Sequence, residues 1–166
     1  DTFMGRSMMH RDEVTIAEAL SAHGYATGIF GKWHLGDNYP MRPQDQGFEE
    51  VLVHRGGGMG QPSDPPDSGY FDPVLLRNGR PERFEGYCTD IFTGAALRFI
   101  DDNRRRPFFA YVTTNAPHTP LEIGEEWWRP YRDMGLDEHN ARVYGMVANI
   151  DANVGRLLEG LAARLA

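Results

Sequence analysis

One cysteine, Cys88, stands among the 166 residues, which excludes an internal disulfide and leaves the redox compartment open. No apolar run approaches the roughly 20 residues that a membrane-spanning helix needs, and the start carries no signal-peptide pattern. Repeats and low-complexity tracts are absent. Basic residues are in deficit, with 17 Lys and Arg against 24 Asp and Glu and a formal charge of −7. No dense basic stripe compensates, so a general nucleic-acid binder is excluded, and any anion site has to be a local positive pocket. The chain also lacks an initiator Met: it opens at Asp1 and stops at Ala166 inside a helical pattern, which reads as a piece cut at both ends. Its composition, 40% hydrophobic and 25% charged, suits one soluble domain with a sizeable core.

What is present is an alternation of helix and strand signals. Residues 1–12 are polar and read as a connecting segment. Thr15-Ile16-Ala17-Glu18 has capping-box spacing, Val14 and Ala19 are placed for a hydrophobic staple, and Gly24 is a natural helix end. A helix from about Ile16 to His23 is thus predicted to feed a strand at Ala26 to Phe30. Asp37 to Gly47 reads as an excursion over the site, before a short strand near Val51-Leu52-Val53. Residues 54–86 read as a loop and hairpin excursion. Its first half, with Gly56-Gly57-Gly58 and Pro65-Pro66, has the composition of a loop or lid and lacks the ending of a P-loop. Asn78-Gly79 marks a hairpin turn.

Asp90 to Asn103 has helical apolar spacing and ends in Arg104-Arg105-Arg106, a solvated cationic end favoured by the helix dipole. Pro107 to Val112 reads as a buried strand. A short helical turn follows at Glu125 to Tyr131, then a long helix from about Asp137. The apolar stripe of that helix, Val143, Val147, Ile150, Val154, Leu157 and Leu161, is expected to face the core.

These elements predict a largely parallel sheet with helices on both faces. Such sheets bind ligands at the C-terminal ends of their strands. The hexapeptide Gly31-Lys32-Trp33-His34-Leu35-Gly36 leaves the first strand there. On an extended backbone Lys32 and His34 share a face, while Trp33 and Leu35 turn away to pack. The flanking glycines let the backbone turn and a ligand approach. A cation beside a group that moves protons near neutrality suits a negatively charged substrate.

A second loop, Asn115-Ala116-Pro117-His118-Thr119-Pro120, leaves the later strand with His118 constrained between prolines. For each residue alone, a solvated charge or a structural histidine is the more ordinary role. With the two strands parallel and adjacent, Lys32, His34 and His118 surround one pocket able to grip a tetrahedral oxyanion.

The hexapeptide closely resembles the second signature of the sulfatase family. The segments Arg42 to Phe48, Pro107 to Phe109, Asn115 to Pro120 and Met146 to Leu158 are similar to later family segments in the family's order. The resemblance implies an alkaline-phosphatase-like α/β/α sandwich with a largely parallel, mixed sheet, incomplete at both ends. Residues 1–166 would form part of a single sulfatase catalytic domain. It implies hydrolysis of a small-molecule sulfate ester with calcium and a formylglycine made from Cys or Ser in a Cys/Ser-x-Pro/Ala-x-Arg motif. Lys32 matches the lysine that binds sulfate and touches the formylglycine. His34 matches the histidine that holds the formylglycine hydroxyls, and His118 the one near the leaving oxygen, a candidate for protonating it.

The chain departs from the family pattern at the nucleophile and at the metal ligands. No Cys/Ser-x-Pro/Ala-x-Arg motif occurs: Cys88 is followed by Thr-Asp-Ile-Phe and Ser7 by Met-Met-His, so Cys88 reads as a plain buried thiol. Calcium wants six to eight oxygen ligands; the family's paired aspartates would precede Asp1 and its Asp-Asn pair would follow a strand after Ala166, while Asp37-Asn38 and Asp102-Asn103 follow no such strand, so no metal ligand is assigned. The expectation is a parent sulfatase whose fragment here holds the sulfate-side residues and is inactive alone. Two other readings stand beside it: a phosphatase or phosphodiesterase of the same superfamily, and a non-catalytic oxyanion-binding fragment. Compartment and oligomeric state are left open, though export fits the resemblance.

Overall fold

The first helix begins where its sequence caps it. In the computed structural model, which describes residues 8–165 and side chains through residue 163, Thr15 Oγ1 accepts the Glu18 N–H at 3.1 Å. The Glu18 carboxylate accepts the Thr15 N–H at 2.8 Å, completing the capping box of α1 (Ile16–Ala22). The staple expected from Val14 and Ala19 does not form, since both side chains are exposed and only Ala17 of α1 is buried. The expectations placed on residues 1–7 and on Ala166 lie outside the described residues.

Strand β1 (Ala26–Lys32) runs two residues beyond the apolar run that predicts it, because both its edges are paired. It lies parallel to β2 (Glu50–His54), with Lys32 opposite His54, and parallel to β5 (Phe108–Thr113), with Gly31 opposite Thr113. The hairpin β3 (Val74–Arg77) and β4 (Arg80–Arg83) adds antiparallel strands to the far side of β2, giving the order β4-β3-β2-β1-β5. The Asn78-Gly79 turn has φ of 49° and 82°, the left-handed pair of a two-residue hairpin. Asn78 Oδ1 accepts the Val51 N–H at 2.9 Å and docks the turn on β2.

Strand alternation sends neighbouring residues to opposite faces. Phe30, Leu52 and Leu75 enter the larger core beneath α2 (Cys88–Asn103) and α4 (Glu138–Leu165), with α3 (Glu125–Asp133) packed on α4. Ile29, Val51, Val53 and Leu76 turn to the smaller core on the α1 side, with Trp33 and Phe48. The sheet is therefore mixed and largely parallel between helical layers, as expected.

Two elements differ from the sequence expectation. β5 is half-buried rather than buried, and Tyr111 is exposed, because β5 is the edge strand of the described sheet. On α4 the stripe meets the core only in part: Ile150, Leu157 and Leu161 pack against it, while Val147 and Val154 are exposed. Ala141, Met146, Asn149 and Asn153 complete the buried side. The two asparagines donate to Asp90 Oδ1 on α2, at 3.3 and 2.6 Å, and so satisfy their buried amides. Gly145 permits the close crossing of α3, since a Cβ there would stand 2.8 Å from Trp128 Cβ.

Candidate functional site

Gly31 is required by the fold rather than by a ligand. Its φ is 131°, and a Cβ would fall 1.8 Å from the Thr113 carbonyl oxygen of β5. Thr113 Oγ1 adds a hydrogen bond to the Lys32 carbonyl at 2.7 Å. The strand ends at Lys32, and His34 is left-handed with φ 56°, so the two side chains are not brought to one face by an extended backbone as expected. A turn brings them together instead. Trp33 anchors it: the ring is buried, and Nε1 donates to the carbonyls of Gly36 and Met41 at 3.0 and 2.9 Å. Leu35 does not pack and is exposed.

The place where the side chains meet is the Gly-rich loop, which is a wedge and not a lid. Gly56, Gly57 and Gly58 are buried. Lys32 Nζ donates to the Gly57 carbonyl at 2.6 Å. A Cβ on Gly57 would lie 2.5 Å from His34 Cε1, and one on Gly58 would lie 2.9 Å from His118 Nδ1. All three predicted site residues therefore abut two consecutive glycines, although they come from two loops far apart in sequence. Lys32 is the only lysine of the chain, so the pocket holds its single ammonium side chain.

The electrostatics follow from this crowding. Burial lowers the pKa of His34 first, the Lys32 and His118 charges lower it further, and Asp37 and Asp64 oppose them. The imidazole is therefore biased towards its neutral form, able both to donate and to accept a proton. Burial also lowers the Lys32 pKa. One ammonium proton is engaged by Gly57, and an ammonium has three to donate.

His118 is exposed, and its Nδ1 lies 2.6 Å from the Thr119 carbonyl, a contact in which the nitrogen donates. That leaves Nε2 as the other ring position. Tyr70, wholly buried, donates its hydroxyl to the His118 carbonyl and accepts from Asn115 Nδ2, fixing the loop from below.

Sequence reasoning missed the groups beneath this pocket. The side chains of His54 and Asp64 are both 0% exposed, with His54 Nδ1 3.8 Å from Asp64 Oδ2. Both His54 nitrogens and Asp64 Oδ2 are buried without a hydrogen-bond partner. His54 sits opposite Lys32 in the parallel register, which sends both side chains to one face of the sheet. That register was the signal that could have found it, and it is not written in β2 alone. Tyr70 and Asn115 were equally unassigned.

The described residues do not gather the donors that a resident metal needs. Among the described residues no group of three or more His, Cys, Asp or Glu could hold a metal ion. Cys88 is 0% exposed and burial pushes its thiol up to about 12, so it is no activated nucleophile.

Comparison with known proteins agrees with the motif. Residues 5–165 match the family model described as Sulfatase. The arylsulfatase of Hemicentrotus pulcherrimus is 37% identical over 165 residues, covering 86% of this chain and 29% of that protein. The arylsulfatase of Klebsiella aerogenes is 30% identical, covering 78% of this chain and 29% of that protein. Among solved structures, Ps i-CgsB superposes with a TM-score of 0.80 at 29% identity, over 92% of this chain and 37% of that one. The same protein has been crystallised with k-i-k-neocarrahexaose. The chain thus spans under a third of the length of the arylsulfatases it matches. The strand order, the helical layers and these likenesses agree on an alkaline-phosphatase-like α/β fold, and the chain belongs to the sulfatase family.

Proposed function

We propose that residues 1–166 are part of a single catalytic domain of a sulfuric ester hydrolase, with 54–86 as its loop and hairpin excursion. In this reading the chain supplies the anion grip for a small-molecule sulfate ester. The observation that carries it is the convergence of Lys32, His34 and His118 on the Gly57–Gly58 backbone. Membership of the sulfatase family supports the choice of sulfate.

Lys32 holds a sulfate oxygen with the protons that Gly57 leaves over, and stabilises charge as the ester bond breaks. His118 stands at the exposed side and gives a proton to the leaving oxygen, a transfer worth a factor of about 10² to 10⁴. His34, biased towards neutrality, would hold the formylglycine hydroxyls and is able to accept a proton as sulfate is expelled. The formylglycine and calcium of the family would come from other parts of the whole protein, because this chain has no Cys/Ser-x-Pro/Ala-x-Arg motif and no ligand cluster among its described residues. The 166 residues alone bind the anion without turnover.

The test is hydrolysis of an aryl sulfate and an aryl phosphate by the full-length protein, wild type and Lys32→Met. Sulfate hydrolysis should fall by about 10² to 10³ in kcat, the loss typical of one oxyanion donor. Preference for the phosphate would select the phosphatase reading. A Lys32→Met protein as active as wild type would remove Lys32 from the grip.

A further inference from the structure

The buried acid under the pocket has a structural assignment of its own. Asp64 Oδ1 accepts the N–H groups of Arg55 and Gly56 at 2.6 and 3.1 Å, and Gln61 Oε1 accepts that of Gly57 at 2.7 Å. Three consecutive N–H groups are thereby turned inward, onto side chains of the 61–64 segment. The Gly57 carbonyl is turned the other way, onto Lys32 Nζ. Hydrogen bonds to a charged acceptor are about twice as strong as neutral ones, and a fully buried carboxylate strengthens them further.

We propose that Asp64 is a positioning residue of the anion pocket: its buried carboxylate folds the Arg55–Gly57 backbone so that the Gly57 carbonyl holds the Lys32 ammonium at the rim. This rests on the reading of Lys32, His34 and His118 as the sulfate grip. Asp64 touches no substrate and acts through Gly57 and Lys32.

The carboxylate also belongs to the charge balance of the pocket. The groups that face His34 are Lys32 on its own loop, Asp37 after it, His118 from the β5 loop, Asp64 from the Gly-rich loop and the neutral His54 of β2. Around Asp64 itself stand neutral His54 at 3.8 Å and Arg55, whose guanidinium reaches the Ser63 carbonyl at 3.5 Å. A purely structural acid would be interchangeable with any group of its shape. A positioning carboxylate is not, because removing its charge and removing its acceptor have opposite effects on a bound anion.

Asp64→Asn keeps an oxygen for both N–H groups and presents its amide N–H to His54 Nδ1, while deleting the negative charge. Asp64→Ala deletes the acceptor as well. The experiment titrates the full-length protein with inorganic sulfate and follows the His34 and His118 ring resonances against pH. Asp64→Asn should tighten sulfate binding by about fivefold, the size of one charge interaction screened as in bulk water, and His34 should titrate at lower pH. Asp64→Ala should weaken binding by about tenfold or more.

Equal weakening in both variants with an unmoved His34 titration overturns the proposal. Should Asp64→Ala not fold, Asp64→Asn decides alone: an unchanged His34 titration or weaker sulfate binding overturns it. If the wild-type rings ignore sulfate, the pocket reading fails, and this proposal falls with it.

Discussion

Replacing Gly57 by alanine isolates the contact on which the pocket depends. A Cβ at residue 57 would stand 2.5 Å from His34 Cε1 and 3.1 Å from both ring nitrogens. Carbon atoms pack best at about 3.5 Å or more, so the imidazole has to retreat by about 1 Å. Gly57 does not occupy the left-handed region, so the methyl brings no backbone strain, unlike a substitution at Gly31. His34 is only partly buried and can move outward, which keeps the stability loss below the roughly 1–3 kcal/mol of an overpacked core. Catalysis is less forgiving: a displacement of about 1 Å costs on the order of 10² in rate, or about 2.7 kcal/mol of transition-state stabilisation. The assay is kcat/KM on an aryl sulfate for the full-length protein, paired with thermal unfolding. Activity within threefold of wild type would refute the placement of His34 against this peptide. A stability loss above about 3 kcal/mol with activity retained would refute it too, since the loop would then have yielded and the ring held.

Two further outcomes follow from other parts of the fold. Gly155 lies inside α4, where an added methyl would meet nothing within 4 Å and φ is not left-handed. Gly155→Ala should therefore raise stability by roughly 0.4–1 kcal/mol in chemical unfolding, and a loss would contradict the open space assigned to it. Burial, with the charges of Lys32, His34 and His118, pushes the His54 imidazole from 6.5 down to about 3. Between those values the unfolded chain binds a proton that the folded chain refuses, so stability falls as the pH drops from 6.5 towards 3, by up to about 1.4 kcal/mol per unit. Asp64, its carboxyl pushed up by burial, has the opposite sign above 3.8 and makes the slope shallower. His54→Gln should flatten the acid side of the stability profile measured by urea unfolding between pH 7 and 4; coincident slopes would dismiss His54 as the titrating group.

Local signals were legible and tertiary ones were not. The Thr15-Glu18 box and the Asn78-Gly79 turn are set by neighbours in sequence, and both form where the residues indicate. The sites of Lys32, His34 and His118 were legible as loop ends after strands, but the turn that joins them was not, because it depends on Trp33 reaching the carbonyls of Gly36 and Met41. The Gly-rich segment has the composition of a loop or lid, and only its packing against both histidines shows why bare backbone is needed there. His54 and Asp64 were hidden for a related reason: a polar residue acquires its meaning from the register opposite it, here Lys32, and from loop closure. On α4 the apolar stripe was right for Ile150, Leu157 and Leu161 and wrong for Val147 and Val154, because the interface with α2 is partly polar, with Asn149 and Asn153 meeting Asp90.

The seam at Gly31 and Thr113 joins two parts of the chain 82 residues apart through backbone contact and, one residue on at Lys32, one hydroxyl. Spacing between the lysine loop and the histidine loop is consequently inherited from strand pairing, independent of whatever side chains decorate the outer turns. Residues of the outer turns that touch neither this seam nor the Arg55–Gly57 backbone can then change while the two loops keep their separation, a division of labour between frame and rim.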